Sequence, residues 1–213
     1  MRRETAMYEI LPGQAGALES GISYIRDELN TLLVKVGAKN ASVWTVADFL
    51  YLYAEFEDGC PATIESVTAP YAGYLSSFAS KIAGNEMDLM YHDLGIVRQN
   101  KAEIRRRVFA TVLKDGCAAE YKARHQKLIE ARGEVTDHHE SNFTIRCAKG
   151  KYIFGYCEFV KLFDREETEE EKQATIAWET RQLEIMNWLT DDVDWITGQK
   201  HEKMRCLFLQ KGY

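Results

Sequence analysis

Tyr53-Ala54-Glu55-Phe56 returns 103 residues later as Tyr156-Cys157-Glu158-Phe159. The segment that ends in Gly37-Ala38-Lys39-Asn40 also returns, one residue shorter, as the segment that ends in His139-Glu140-Ser141-Asn142. An internal repeat of this kind indicates that a domain has been duplicated. Each copy can then serve as a structural control for the other, since packing alone explains poorly why a buried position should be apolar in one copy and polar in the other.

Length and composition are those of an ordinary globular protein. The chain has 213 residues, which suits one large domain or two small ones, and the repeat favours two. Its 46% hydrophobic and 28% charged residues are typical of a soluble protein. The net charge of −6 argues against nucleic acid or an anionic membrane as the main partner.

The sequence predicts a cytoplasmic protein. No apolar run approaches the roughly 18 residues of a membrane helix, and Met1-Arg2-Arg3-Glu4 lacks the apolar stretch of a signal peptide. The five cysteines are odd in number and show no CxxC or zinc-type spacing, which is typical of reduced thiols. Nucleotide-binding loops and the motifs of serine hydrolases and zinc proteases do not occur.

Each copy has the β and α patterns of a βαββαβ unit, the ferredoxin-like order. In copy one the predicted elements are a strand over 6–11, a helix that ends at 37, a hairpin over 42–57, a helix over about 62–82 and a strand over 87–97. In copy two they are a strand over 107–113, a helix over 117–132, a hairpin over 142–160, a helix that continues to about 190 and a strand over 202–209.

We predict an N-terminal copy over residues 1–100 and a C-terminal copy over residues 104–213. Residues 99–106 between them are charged and contain no Gly/Ser/Pro-rich linker. Two halves joined this closely are expected to pack together as the subunits of a dimer would. The predicted class is therefore α+β, with two tandem ferredoxin-like domains that form an internal pseudo-dimer.

The first helix of copy two carries two polar side chains at positions that copy one fills with aliphatic residues. Tyr121 and His125 share one stripe of the helix, and the equivalent residues of copy one are Leu18 and Ile22. Burial of a polar group costs about 1–3 kcal/mol when the group has no partner. A structural core histidine is one interpretation. The difference between the copies favours the other, in which His125 and Tyr121 bind a common ligand.

These residues belong to a longer set that resembles a known family. Residues 120–125 (EYKARH) resemble the E-Y-x-x-R-H signature of the L-rhamnose mutarotase family, and residues 142–145 (NFTI) are similar to its N-Y-x-I strand. In copy one, residues 36–44 (VGAKNASVW) and 53–55 (YAE) resemble the family in the same order. The resemblance therefore covers nearly the whole chain, as two divergent tandem copies.

The resemblance implies a dimeric α+β barrel, and because the family is homodimeric this chain resembles a fused pseudo-dimer. It also implies interconversion of the anomers of a monosaccharide such as L-rhamnose, with no metal or organic cofactor. In that chemistry an acid protonates the ring oxygen while a base takes the proton of the anomeric hydroxyl. His125 corresponds to the family's catalytic histidine, and Tyr121 to its neighbouring active-site tyrosine. Imidazole suits proton transfer because its ordinary pKa is about 6.5.

The candidate pocket departs from the family pattern. Phe143 stands where the family has a second tyrosine, and Gln173 stands where it has a tryptophan in a comparison without gaps. A tryptophan pair of the family falls at Ile185-Met186, with Trp178 and Trp188 nearby but out of register. Copy one has neither histidine nor tyrosine at the matching helix positions and is expected to lack a catalytic site. The predicted substrate-binding residues are Phe143, Tyr156, Glu158, Gln173 and Trp188.

The sequence leaves several alternatives open. A non-catalytic protein that binds a sugar or another small molecule is the first alternative to a mutarotase, and a cofactor-free monooxygenase on the same barrel is the second. Glu158 has a counterpart in Glu55, so a structural role common to both copies is an alternative to substrate binding. Which sugar is bound, and whether fused chains pair further as homodimers, are not decided by the sequence.

Overall fold

A computed structural model describes residues 1–75, 87–132, 140–163, 165–166, 168–189 and 204–212. The chain divides into two compact units. Unit 1 comprises Met1–Met87 and Met204–Tyr213, and unit 2 comprises Asp88–Lys203. The predicted ends of the second helices, near residues 82 and 190, lie outside the described residues.

Unit 1 is an antiparallel sheet with helices on one face. Its strands are β1 (Arg2–Glu9), β2 (Ala38–Val46), β3 (Phe49–Phe56) and β9 (Arg205–Leu209), in the order β1-β3-β2-β9. Its helices are α1 (Ala15–Tyr24), α2 (Arg26–Lys35) and α3 (Ile64–Thr68), which a 3-10 helix (Ala69–Tyr74) follows. Alternate residues of β1 and β3 pack with Leu18 and Ile22 of α1 in one hydrophobic core, as the period of two along a strand requires.

Unit 2 repeats this arrangement. Its strands are β4 (Asp88–Asp93), β5 (Ile104–Leu113), β6 (Glu140–Ala148), β7 (Tyr152–Val160) and β8 (Met186–Trp188), in the order β4-β6-β7-β5-β8. Its helices are α4 (Ala118–Arg132) and α5 (Glu169–Gln182). The prediction of an α+β protein with two ferredoxin-like halves is confirmed.

The backbone itself carries the duplication. Asn40 and Asn142 both have a φ of 51°, each beside a register shift, between β2 and β3 in unit 1 and between β6 and β7 in unit 2. Ala47 and Lys149 also have positive φ, 48° and 51°, in the hairpin turns that follow. Asparagine adopts this left-handed conformation more readily than most residues, so the two asparagines mark equivalent bulges.

The last strand of each repeat lies in the sheet of the other unit. β4 belongs to the N-terminal repeat, yet it pairs with β6, with Tyr91 opposite Ile145. β9 ends the C-terminal repeat and pairs with β2, with Phe208 opposite Val43. The predicted boundaries, 1–100 and 104–213, separate the sequence repeats, whereas the compact units exchange these strands.

Neither second helix is a continuous α-helix over the described part of its predicted range. α3 ends at Thr68, where Pro70 follows and cannot donate a backbone hydrogen bond. α5 ends at Gln182, and the apolar residues after it form β8, which pairs with β5. The prediction of helix over residues 186–188 is wrong because these residues pair with an edge of the sheet. In the described parts of the chain, no helix has the length and apolar character needed to cross a membrane.

Candidate functional site

The helix-covered side of the unit 2 sheet carries aromatic rings around His125. His125 and Tyr121 lie one turn apart on α4, with ring centroids 4.2 Å apart. The rings of Tyr91 on β4 and Trp178 on α5 contact His125 at centroid distances of 5.7 and 5.3 Å. Phe143 on β6 packs edge-on against Tyr91 at 4.9 Å. We call these five residues the His125 cluster.

His125 is held as a neutral imidazole with a defined tautomer. The side chain is 6% exposed, and its Nδ1 lies 2.9 Å from the backbone carbonyl of Tyr121. Because a carbonyl can only accept, Nδ1 carries the proton and Nε2 keeps its lone pair. Burial lowers the pKa of His125 below its ordinary value of 6.5. The hydrogen bond to the carbonyl raises the pKa, but its effect is smaller. Nε2 can therefore accept a proton at neutral pH.

Tyr121 stays a phenol over the whole physiological range. It is 2% exposed, and burial raises its pKa well above the ordinary value of 10.0, with a further contribution from the nearby charge of Glu179 on α5. Arg107 on β5 acts in the opposite direction with a smaller effect. The hydroxyl of Tyr121 is therefore available as a hydrogen-bond donor and does not ionise.

Two polar side chains on other elements of unit 2 are buried without a partner among the described residues. Gln182 at the end of α5 and Thr111 on β5 are each 1% exposed. Neither the amide atoms of Gln182 nor Oγ1 of Thr111 has a hydrogen-bond partner there. An unsatisfied buried polar group costs about 1–3 kcal/mol. Such groups are usually satisfied by water or a polar ligand.

Unit 1 shows what the same fold requires for packing alone. Leu18 and Ile22 are fully buried in its core at the positions of Tyr121 and His125. Strand register also gives the counterparts of three aromatic residues of unit 2. Unit 1 has Phe208 in place of Tyr91, Ala6 in place of Phe109 and Ala41 in place of Phe143. The polar groups of the His125 cluster are therefore not needed for the fold.

The predicted binding residues separate into those on the His125 side and those elsewhere. Phe143 and Trp188 both pack against the hydrophobic core that contains Tyr121. Gln173 is exposed on α5, where its amide donates to Glu169 at 2.9 Å. The structure thus brings Phe143 and Trp188 to the side of the sheet that carries His125, and it leaves Gln173 facing solvent.

Tyr156 and Glu158 lie on the other face of the sheet. Ile153 on the same strand packs in the helix-side core, and alternate residues of a strand point to opposite faces. Glu158 is fully buried and accepts hydrogen bonds from the Tyr156 hydroxyl at 2.8 Å, the Asn142 amide at 3.0 Å and the Lys101 ammonium at 2.8 Å. These two predicted binding residues are therefore satisfied within a buried network.

Unit 1 contains a similar network. Glu55 accepts from the Tyr53 hydroxyl and from the Asn40 amide, both at 2.9 Å. In each unit the asparagine is the bulge residue with positive φ, so the carboxylate ties the bulge to the neighbouring strand. A network present in both units favours the structural alternative for Glu158.

We predict that Tyr156→Phe lowers the free energy of unfolding by about 1–3 kcal/mol, because a hydrogen bond to a buried carboxylate is lost. Tyr53→Phe is the matched variant in unit 1 and is expected to behave alike. Chemical denaturation of both variants measures the loss. A Tyr156→Phe protein of unchanged stability whose sugar affinity falls would instead place Tyr156 in the binding site.

Comparison with known proteins identifies the repeat that carries this cluster. Residues 106–209 match the family described as L-rhamnose mutarotase. The C-terminal repeat belongs to the L-rhamnose mutarotase family. No curated protein matches the chain. A crystal structure titled as a putative monooxygenase from Fusobacterium nucleatum is similar over 99% of this chain and 94% of that chain, with 12% sequence identity and a TM-score of 0.48.

Most of the His125 cluster lies inside the mutarotase-family repeat. Tyr121, His125, Phe143 and Trp178 fall within residues 106–209, whereas Tyr91 precedes them. Tyr91 was not predicted because it belongs to copy one in the sequence and reaches His125 through the exchanged strand. Trp178 was not assigned to the site, since it is out of register with the family's tryptophans in a comparison without gaps.

Glu179 and Gln182 were also not predicted. The available signal was their spacing from Trp178, since positions 178, 179 and 182 share one side of a helix. Within the described part of the mutarotase-family repeat, as in the rest of the described chain, no three His, Cys, Asp or Glu side chains are placed to hold a metal ion.

Proposed function

We propose that the protein is a mutarotase-like enzyme that interconverts the anomers of a monosaccharide such as L-rhamnose, with His125 as the proton-transfer group. The observation that carries the proposal is the buried, neutral imidazole of His125 at a position that unit 1 fills with Ile22. The membership of the C-terminal repeat in the L-rhamnose mutarotase family supports the same reaction class.

The proposed reaction begins with transfer of the anomeric hydroxyl proton to Nε2 of His125. The bond between the anomeric carbon and the ring oxygen breaks, and the ring oxygen takes up the proton that the His125 imidazolium carries on Nε2. The aldehyde then rotates and the ring closes on its other face, which reverses both transfers. The Nδ1 bond to the Tyr121 carbonyl favours the imidazolium form, so it stabilises the charge that appears on His125. Tyr121, as a phenol, donates a hydrogen bond to a substrate oxygen.

The surroundings of His125 fit a small polyol better than an apolar ligand. Aromatic rings such as Trp178 and Phe143 can pack against the C–H faces of a sugar. The buried amide of Gln182 and the hydroxyl of Thr111 offer partners for sugar hydroxyls. A site built to hydrogen-bond a hydroxyl also rejects ligands that lack it.

Saturation-transfer NMR on L-rhamnose and related 6-deoxyhexoses tests the proposal. We expect the protein to accelerate anomer interconversion above the rate extrapolated to zero buffer concentration. The pKa of His125 is lowered, so kcat/KM is expected to be constant around neutral pH and to fall only on acidification below about 6.5, as the base becomes protonated.

Heat-denatured protein at the same concentration is the control for contaminants and buffer effects. Absence of acceleration with every sugar would contradict the mutarotase proposal. Thermal stabilisation by a sugar without interconversion would support the non-catalytic binding protein instead.

A further inference from the structure

We propose that the N-terminal repeat completes the sugar site of the mutarotase-family repeat by supplying Tyr91 as a specificity-determining residue. This inference rests on the proposed function and names a group that recognises a sugar hydroxyl. The ligand class is a neutral polyol with adjacent hydroxyls. The N-terminal repeat, although it has no histidine at the position of His125, then has a role in the reaction of the other repeat.

The first support is the position of Tyr91. The residue lies on the exchanged strand β4, opposite Ile145 of β6, and is 4% exposed. Its ring contacts both His125, at 5.7 Å, and Phe143, at 4.9 Å. A ligand held against Nε2 of His125 would therefore lie within reach of a group that the N-terminal repeat contributes.

The second support is the equivalent residue of unit 1. Phe208 occupies the same register position on the other exchanged strand, opposite Val43, and packs in the core of unit 1. The ring is thus what packing requires, and the hydroxyl of Tyr91 is an addition. Equivalent positions also differ in the helix, where unit 2 has His125 and unit 1 has Ile22. The polar side chains that only unit 2 has at these positions therefore lie together in the His125 cluster.

The third support is the neighbour of Tyr91 on the same face of the strand. Asp93 lies two residues further, and its Oδ2 is 3.5 Å from the Tyr91 hydroxyl. Unit 1 has Gln210 at that position, and its side chain is engaged with the backbone of β2, donating to Ala38 at 2.8 Å and accepting from Ala41 at 3.0 Å. A phenol that donates to a carboxylate can also accept at its oxygen, which is the role proposed for it toward the hydroxyl of a ligand.

The test compares wild type with Tyr91→Phe in the full chain, using L-rhamnose and its monodeoxy analogues. We expect Tyr91→Phe to raise KM about 10-fold, the loss of one hydrogen bond of about 1.4 kcal/mol, with kcat changed less than KM. The analogue that lacks the contacted hydroxyl should show no such loss, so discrimination against it disappears in the variant. Thermal unfolding should stay close to wild type, because Phe208 shows that phenylalanine is accepted there.

Tyr71→Phe is the matched control. It removes a buried hydroxyl of unit 1 that has no hydrogen-bond partner in the described residues, and it is expected to leave KM unchanged. If wild type interconverts anomers and Tyr91→Phe behaves identically with every analogue, the inference is wrong and the proposed function stands. If wild type binds sugars without interconversion, an unchanged Kd in Tyr91→Phe overturns the inference in the same way. If wild type neither interconverts the anomers nor binds any of the sugars, both proposals are wrong.

Discussion

His125→Leu is expected to lower the rate of anomer interconversion by about 10²–10⁴-fold, the usual contribution of a general acid or base. The fold should remain intact, because unit 1 packs Ile22 at the equivalent position. The hydrogen bond lost from Nδ1 leaves the Tyr121 carbonyl within α4, where it still accepts from the helix backbone. NMR interconversion rates and thermal unfolding of the same preparation measure the two effects separately.

His92→Asn is the control for this variant. His92 is an exposed histidine of β4, and its replacement should leave the rate unchanged. Interconversion at the wild-type rate in a folded His125→Leu protein would show that His125 is not the proton-transfer group. A loss of unfolding cooperativity would instead show that the histidine is structural.

Gly155→Ala is expected to destabilise the protein by about 3 kcal/mol, at the upper end of overpacking effects. A Cβ at Gly155 would overlap the ring of Phe109, which lies opposite it on β5 and contacts Phe143 at 6.3 Å. The equivalent pair in unit 1 is Leu52 opposite Ala6, so the large and small residues change places between the units. Chemical denaturation measures the loss, and Gly73→Ala, where a Cβ meets open space, is the matched control.

The double variant Phe109→Ala/Gly155→Leu reproduces the pair found in unit 1. It should recover most of the stability lost in Gly155→Ala, to within about 1.5 kcal/mol of wild type, because total volume is conserved. Anomer interconversion should nevertheless fall, since Phe143 loses the ring that supports it. Full activity in the double variant would show that Phe109 does not shape the site.

Several elements were predictable because their signals are local. The hairpin turn at Lys149, beside Gly150, and the extent of α4 follow from glycine placement and apolar spacing over a few residues. His125 was predictable for a different reason. Copy one has the aliphatic residue Ile22 at the position of His125, so the fold does not require a histidine there.

Other features depend on partners that are distant in sequence. The apolar residues after Gln182 are compatible with helix or strand, and the open edge of β5 decides for β8. Glu158 resembles a binding residue in the sequence, and the alternation of β7 places it on the face opposite His125. In the first case the pairing with β5 selects the outcome, and in the second the side of the sheet on which the helices pack selects it.

By itself the sequence determined the duplication, the ferredoxin-like order of elements and the one helix whose core stripe is polar, because each is a pattern within one repeat or between aligned repeats. Only the tertiary structure decided that β4 joins the sheet of unit 2 and brings Tyr91 to His125. The physical reason is that a strand's backbone hydrogen bonds can be satisfied by any sheet edge with compatible side chains. The choice between edges is made by the packing of the whole unit, which no local pattern records.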